Sequence, residues 1–203
     1  MSTAPLTVAR LRAVTRFVDA VPDVLDAHEP GGFVWIHDDL ELATAGVAAT
    51  VAAEDALDCL TAIEHDDEVR AAGTGPLAVG ALPFDPGAAH ALVVPRRIVG
   101  RLADGRSWVT HIGPPVEVPA LGDVAPAPTD PLPATIVPRT DRDGWRTMVV
   151  RALDEIRRGS VEKVVLSRQV DIDADVPFDL GAVLARLRRR QPGCFVYAAG
   201  GFV

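Results

Sequence analysis

Lysine is nearly missing from this chain: Lys163 stands alone among twenty cationic side chains, the rest of which are arginine. Long apolar runs are missing too. Nothing approaches the roughly 18 consecutive apolar residues of a membrane-spanning helix, and the N-terminus carries no signal-peptide-like stretch. A soluble, cytoplasmic protein without membrane partners is expected. Cysteine is scarce. Cys59 and Cys194 lie far apart and away from any histidine, which excludes a disulfide framework and a CxxC motif. They read as small apolar residues in a reducing compartment. His28, His37, His65, His90 and His111 form no HxxxH or HExxH pattern, so no transition-metal site is expected. Net positive charge is also lacking. The balance of −8 argues against a nucleic-acid partner.

That charge is unevenly spread. Residues 1–139 hold 19 acids and 9 bases, whereas residues 140–203 hold 9 acids and 11 bases. An anionic small ligand is better received by the second segment, although Arg186, Arg188, Arg189 and Arg190 also suit the end of a helix. The apolar share of 48% is enough for a real core.

Hydrophobic periodicity divides the chain into three parts. Residues 1–112 read as a strand-rich region. Leu11, Val14, Val18 and Val21 have the spacing of an amphipathic helix. Gly32–His37 reads as a strand, and Leu40–Ala53 suits strand or helix. Glu54–Asp67 reads as a helix with Ala56, Leu57, Leu60 and Ile63 on one face. Pro76–Phe84, Ala89–Pro95 and Ser107–Ile112 read as strands, with a turn at Pro83–Gly87 and a hairpin at Asp104–Gly105. Residues 113–139 carry eight of the seventeen prolines, which predicts a linker or surface loop. In residues 140–203, Asp141 or Asp143 caps a helix with Trp145, Met148, Val149, Ala152 and Ile156 as its apolar stripe, closed by Gly159. A strand from Lys163 to Ile172 follows. Asp179 starts another helix with Val183, Leu184 and Leu187 inward. Cys194–Ala199 is a strand, and Gly200-Gly201 turns it towards Phe202-Val203. The expected class is α+β, with largely antiparallel sheets flanked by helices. The interrupted last strand pair reads as the N-terminal part of a longer polypeptide.

Arginine excess accompanies GC-rich coding, and lysines at strand starts usually serve solvation alone. The context of Lys163 points further. A guanidinium cannot be deprotonated in a protein, whereas an amine can. A free lysine amine, with a pKa of ~10.4, is almost fully charged at pH 7. Burial or a nearby cation makes such an amine a usable general base.

The stretch from Gly144 through Arg168, with its helix, Gly159 and the run VEKVVLSR, resembles the chorismate-binding enzymes, and among them the isochorismate synthases. Val79–Asp85 (VGALPFD) resembles the family's G-A-x-P-F-D segment, and Leu42–Gly46 resembles an N-terminal family motif. The resemblance implies the anthranilate synthase component I-like fold, with residues 140–203 opening its catalytic region. It implies chorismate as substrate, with water added at C2 and the C4 hydroxyl lost. It assigns Lys163 as the base that activates the water, where amine-using relatives commonly carry glutamine. It also implies Mg2+ on a substrate carboxylate, and commonly a monomer. The family's magnesium-binding glutamates, its acid and its carboxylate-gripping arginine lie downstream of this stretch, so no metal ligand and no substrate-binding residue is assigned here. Salicylate synthases share the lysine and lack a good match to VGALPFD. A truncated, non-catalytic product or binding module is the third reading. The resemblance serves menaquinone and siderophore biosynthesis equally.

Overall fold

The computed structural model describes residues 10–19, 21, 23–85, 90–114, 133–200 and 202–203. Two compact units emerge, Met1–Pro128 with Asp179–Val203, and Thr129–Phe178. Most of the expected linker, and the turn residues 86–89, fall outside the described residues.

The larger unit is built on one seven-stranded sheet. Its strands are β1 (Arg12–Val18), β2 (Val34–His37), β3 (Leu40–Ala52), β4 (Glu64–Asp67), β5 (Ala91–Leu102), β6 (Ser107–Gly113) and β9 (Val196–Ala198). They lie in the order β4-β1-β6-β5-β3-β2-β9. Every pairing is antiparallel except β1 with β4. The α+β class with largely antiparallel sheets holds. β3 and β5 form the longest ladder, with a bulge between Val47 and Ala49. A bulge of this kind bends a long strand and sharpens its twist.

Each face of the sheet is covered. On one, Ile98, Trp108 and Ile112 pack with Leu42 and Val51, beneath the short helix α1 (Ala56–Thr61) through Ala56 and Cys59. On the other, Val34, Ile36, Val196 and Ala198 meet Leu184 of helix α3 (Leu180–Arg190) and Val24 of a 3-10 turn. Asp179 caps α3 by accepting from the Ala182 N–H at 3.1 Å. Near its end, Arg188 pairs with Asp23 and lies 3.8 Å from Glu41, which also binds Arg101. These half-buried charges fasten the helix to the sheet.

Several expectations give way to tertiary pairing. Residues Arg12–Val18 are a strand, not an amphipathic helix, because pairing with β4 and β6 outweighs a weak helical period. Ala13 and Thr15 alternate inward with no exposure at all. The helix expected over Glu54–Asp67 shrinks to α1, and its last residues join the sheet as β4. Leu57 is 76% exposed, off the buried face. Pro76–Phe84 forms no strand. It touches the sheet through a single bridge, Val79 with Val93, since prolines at its ends withhold ladder donors. Leu40–Ala52 resolves as strand. The Asp104–Gly105 hairpin holds, with Gly105 at φ +87° and its N–H on the Leu102 carbonyl.

The smaller unit contains β7 (Ala134–Pro138), helix α2 (Arg142–Arg157) and β8 (Val170–Ala174), with β7 and β8 antiparallel. The Pro-rich region therefore yields a strand at its end. Pro138 is tolerated because it closes a two-stranded edge.

Two predictions follow from this packing. A Cβ at Gly100 would sit 2.3 Å from the Trp108 ring, and Trp108 is wholly buried. Gly100→Ala should therefore cost at least about 2 kcal/mol, read as a lower urea midpoint. The second concerns the Asp67 carboxyl. Burial alone would raise its pKa, but the Thr74 hydroxyl and the N–H groups of Arg70 and Val69 donate to it and hold it below the usual aspartate range. The resulting stability is present above the unfolded value of ~3.9 and disappears as pH falls through the lower folded value. Thermal melts between pH 6 and pH 2 should show a smaller acid loss for Asp67→Asn than for the wild type.

Candidate functional site

Lys163 follows α2 in the smaller unit, and local geometry sets its approach. The Asp141 carboxylate caps the start of α2 by accepting from the Gly144 N–H at 2.7 Å. Trp145, Val149, Ala152 and Ile156 are half-buried along one side, while Met148 is exposed. Asp154–Arg157 and Glu155–Arg158 pairs decorate the solvent side. The helix then ends in a Schellman motif. The Gly159 N–H bonds the Ile156 carbonyl at 3.0 Å and the Ser160 N–H bonds the Glu155 carbonyl at 3.1 Å. Gly159 sits at φ +76°. This turn directs the chain into residues 161–169.

The expected strand from Lys163 is not formed over its first seven residues. Residues 163–169 have no regular structure, and β8 begins only at Val170. A strand exists only against a partner. Within this stretch, and among the described residues, the Gln169 carbonyl accepts from the Arg139 N–H at 3.0 Å. Lys163 is exposed rather than buried. Among the described residues it makes no hydrogen bond and no ion pair. Val164 and Val165 beside it are 45% and 93% exposed. Further along, Arg139 pairs with Asp171, and the Gln169 side chain reaches Asp171 at 3.4 Å.

The larger unit holds a second feature, which sequence reasoning did not identify as a site. A cleft of about 370 Å³ is lined by Gly32, Thr44, Gly46, Val79, Gly80 and Gly200, among others. The two segments that carried the weaker parts of the family resemblance, Leu42–Gly46 and Val79–Asp85, meet there. Close approach explains their glycines. A Cβ at Gly32 would lie 2.2 Å from the Thr44 carbonyl oxygen, and one at Gly80 would lie 2.9 Å from Leu92. The Thr44 hydroxyl is engaged, accepting from the Phe33 N–H at 2.8 Å. Glu29 at the margin pairs with Arg97 at 3.1 Å. The signal was available in the sequence as two glycine-bearing segments, but nothing in one dimension shows that they converge.

No group of three or more histidine, cysteine, aspartate or glutamate side chains among the described residues is placed to hold a metal ion. The magnesium that the resemblance implies finds no ligand set among the described residues. Among the described residues no helix is long and apolar enough to cross a membrane.

Residues 123–201 match the family model for chorismate binding enzymes. A Mycobacterium tuberculosis protein carrying the name isochorismate synthase MenF is 35% identical over 136 residues, which are 64% of this chain and 32% of that relative. The isochorismate synthase EntC of Escherichia coli K12 is 29% identical over 117 residues, 58% of this chain and 27% of the relative. Among solved structures, the menaquinone-specific isochorismate synthase MenF of Escherichia coli superposes with a TM-score of 0.62 at 19% identity, covering 94% of this chain and 48% of that one. This chain thus matches the chorismate binding enzymes over part of its length. Its homologues are isochorismate synthases, and it spans about a third of the curated relatives' length.

No atom lies within 4 Å of a Cβ built on Gly159, so Gly159→Ala is a purely conformational change. It should cost about 1–2 kcal/mol. Loss of α2 signal at lower urea in far-UV circular dichroism would show it, and Gly159→Asn should recover part of the loss.

Proposed function

We propose that this chain is the N-terminal share of an isochorismate synthase and that Lys163 is its general base. The observation that carries the reading is the position of the sole lysine, in VEKVVLSR directly after the capped helix α2, inside the stretch that matches the family model. In the reaction, Lys163 takes a proton from water as the water oxygen bonds to C2 of chorismate. The double bonds shift, and the C4 hydroxyl departs with a proton from an acid that this chain does not supply. Arginine could offer charge at the same place but could not accept the proton. Magnesium, when bound, would neutralise a substrate carboxylate. Its ligands belong to the part of the enzyme that this chain does not span.

The reading accounts for the exposure of Lys163. A base amine needs shelter from bulk water to be neutral near pH 7. Here that shelter is left to further polypeptide, so residues 1–203 alone should not turn over chorismate.

The test uses a protein in which this chain is joined to the missing share of the enzyme. Incubation with chorismate and magnesium should yield isochorismate. Lys163→Arg and Lys163→Ala should each lower kcat about 10²–10⁴-fold, with the arginine variant no better than the alanine one. The wild-type rate should fall on the acid side, where the base is protonated. Near-normal turnover by Lys163→Arg would remove the base assignment. Salicylate with pyruvate as products would assign the protein to the salicylate synthases instead. No turnover by the joined protein would leave a non-catalytic module.

A further inference from the structure

His28 follows the 3-10 turn Val24–Ala27, whose apolar side chains pack on the sheet and, at Val24, beside Leu184 of α3. Its own N–H closes the turn on the Leu25 carbonyl at 3.2 Å. The side chain is half-buried, and its two ring nitrogens meet different surroundings. One bonds the main chain of Gly32. The Gly32 N–H is engaged by the Glu29 carbonyl at 2.8 Å, so the Gly32 carbonyl is the acceptor. The other nitrogen, Nε2, is buried and has no hydrogen-bond partner among the described residues. The donating nitrogen is therefore Nδ1, and the neutral ring carries its proton there.

The Gly32 end of this bond belongs to the glycine-lined cleft. Residues 29–33 form one continuous wall of it. The wall turns at Gly31, which sits at φ +81° with open space where a Cβ would be. At one end Glu29 pairs with Arg97. At the other, Phe33 is tied to Thr44 by its N–H on the hydroxyl and its carbonyl on the Thr44 N–H, each at 2.8 Å. The His28 ring adds a tie from inside the fold. Protonation would place a second N–H and a charge on Nε2, where nothing accepts them. Burial is the largest influence on the ring and holds its pKa below the ordinary imidazole range. It does so against two carboxylates, Asp179 at the start of α3 and Glu29, whose charge is shared with Arg97 of β5. On the 3-10 turn itself, Asp23 is taken up by Arg188 of α3, and burial pushes the Asp26 carboxyl up.

We infer that His28 is an acid-released latch on the wall of this cleft. Neutral, its Nδ1–H holds the Gly32 carbonyl and keeps residues 29–33 closed on the sheet. Protonated, the ring turns out to bring Nε2 to water, and the wall is freed. The sign follows from the lowered folded value. The open form takes up the proton more readily, so the closed form is fully favoured above the free imidazole value of ~6.5. That preference is lost as pH falls below it towards the folded value. A competing sensor is His111 on β6. It is the register partner of Arg97, and burial and that guanidinium hold its pKa low.

The experiment follows amide hydrogen exchange in the 203-residue chain at pH 7.5 and pH 5, corrected for the intrinsic effect of pH on exchange. Protection of the Gly32 and Phe33 N–H groups should fall at least tenfold at the lower pH, while amides within the β3–β5 ladder change less than twofold. His28→Asn keeps a donor near the Nδ1 position and cannot be charged, so its loop should stay protected at both pH values. His28→Phe offers no donor and should leave the loop unprotected at both. Unchanged protection in the wild type, or an acid loss that persists in His28→Asn, overturns the latch. Disappearance of the acid loss in His111→Gln also overturns it, because His111 would then be the sensor. A long-range nitrogen–proton spectrum of the unmutated chain gives an independent reading that needs no variant to fold. At pH 7.5 the His28 ring should be the Nδ1–H tautomer, and an Nε2–H tautomer or a charged ring there overturns the assignment.

Discussion

The antiparallel ladder between β3 and β5 is the constraint on which the larger unit depends. Backbone N–H and C=O groups withdrawn from water must be paired, and this ladder runs the whole length of both strands, from Leu40 with Leu102 to Ala52 with Ala91. It places β6 on one side and β2 on the other. It also fixes which side chains enter each core, because a slip of one residue would turn every side chain to the opposite face. Gly100 shows how tight the requirement is. Its register partner is Trp108, whose ring occupies the space a methyl group would need. The bulge after Val47 bends β3 just past Gly46, where the glycine-lined cleft lies.

Where local pattern and long-range pairing agree, the sequence was legible. The cap at Asp141, the stop at Gly159, the helix after Asp179 and the hairpin at Gly105 are chemical requirements satisfied within a few residues, and each appears in the structure. Pairing across distance was not legible. β1 meets β6 some ninety residues away, where Thr15 and Thr110 share a buried hydrogen bond of 2.7 Å. No local period announces such a bond, so a helical spacing of Leu11, Val14 and Val18 prevailed in the reading. β4 has the same explanation. Its four polar residues favour no strand, and only the parallel partner β1 makes them one.

The candidate site was legible as a residue type and not as geometry. A single amine in a chain of arginines is the one cationic side chain able to give up its proton, and this stands out without reference to any fold. Its surroundings were another matter. The apolar run after Lys163 has the composition of a buried strand, yet Val165 is 93% exposed. Composition reports what a segment can bury, whereas burial itself needs a second surface.

That second surface joins the features of the smaller unit that would otherwise stand apart. None of its described residues is fully buried. Ile136, Val150, Ile172 and Phe178 are each about half exposed or more. A unit of this size gains too little from such partial burial to offset the ordering of its chain. Its helix is nevertheless well capped at both ends and its strands are in register. In the proposed function, a surface that covered these side chains would also take Lys163 out of bulk water. Stability and basicity then have one cause. Under the proposed function, the packing that would supply further hydrophobic gain is also the packing that would make a neutral amine attainable.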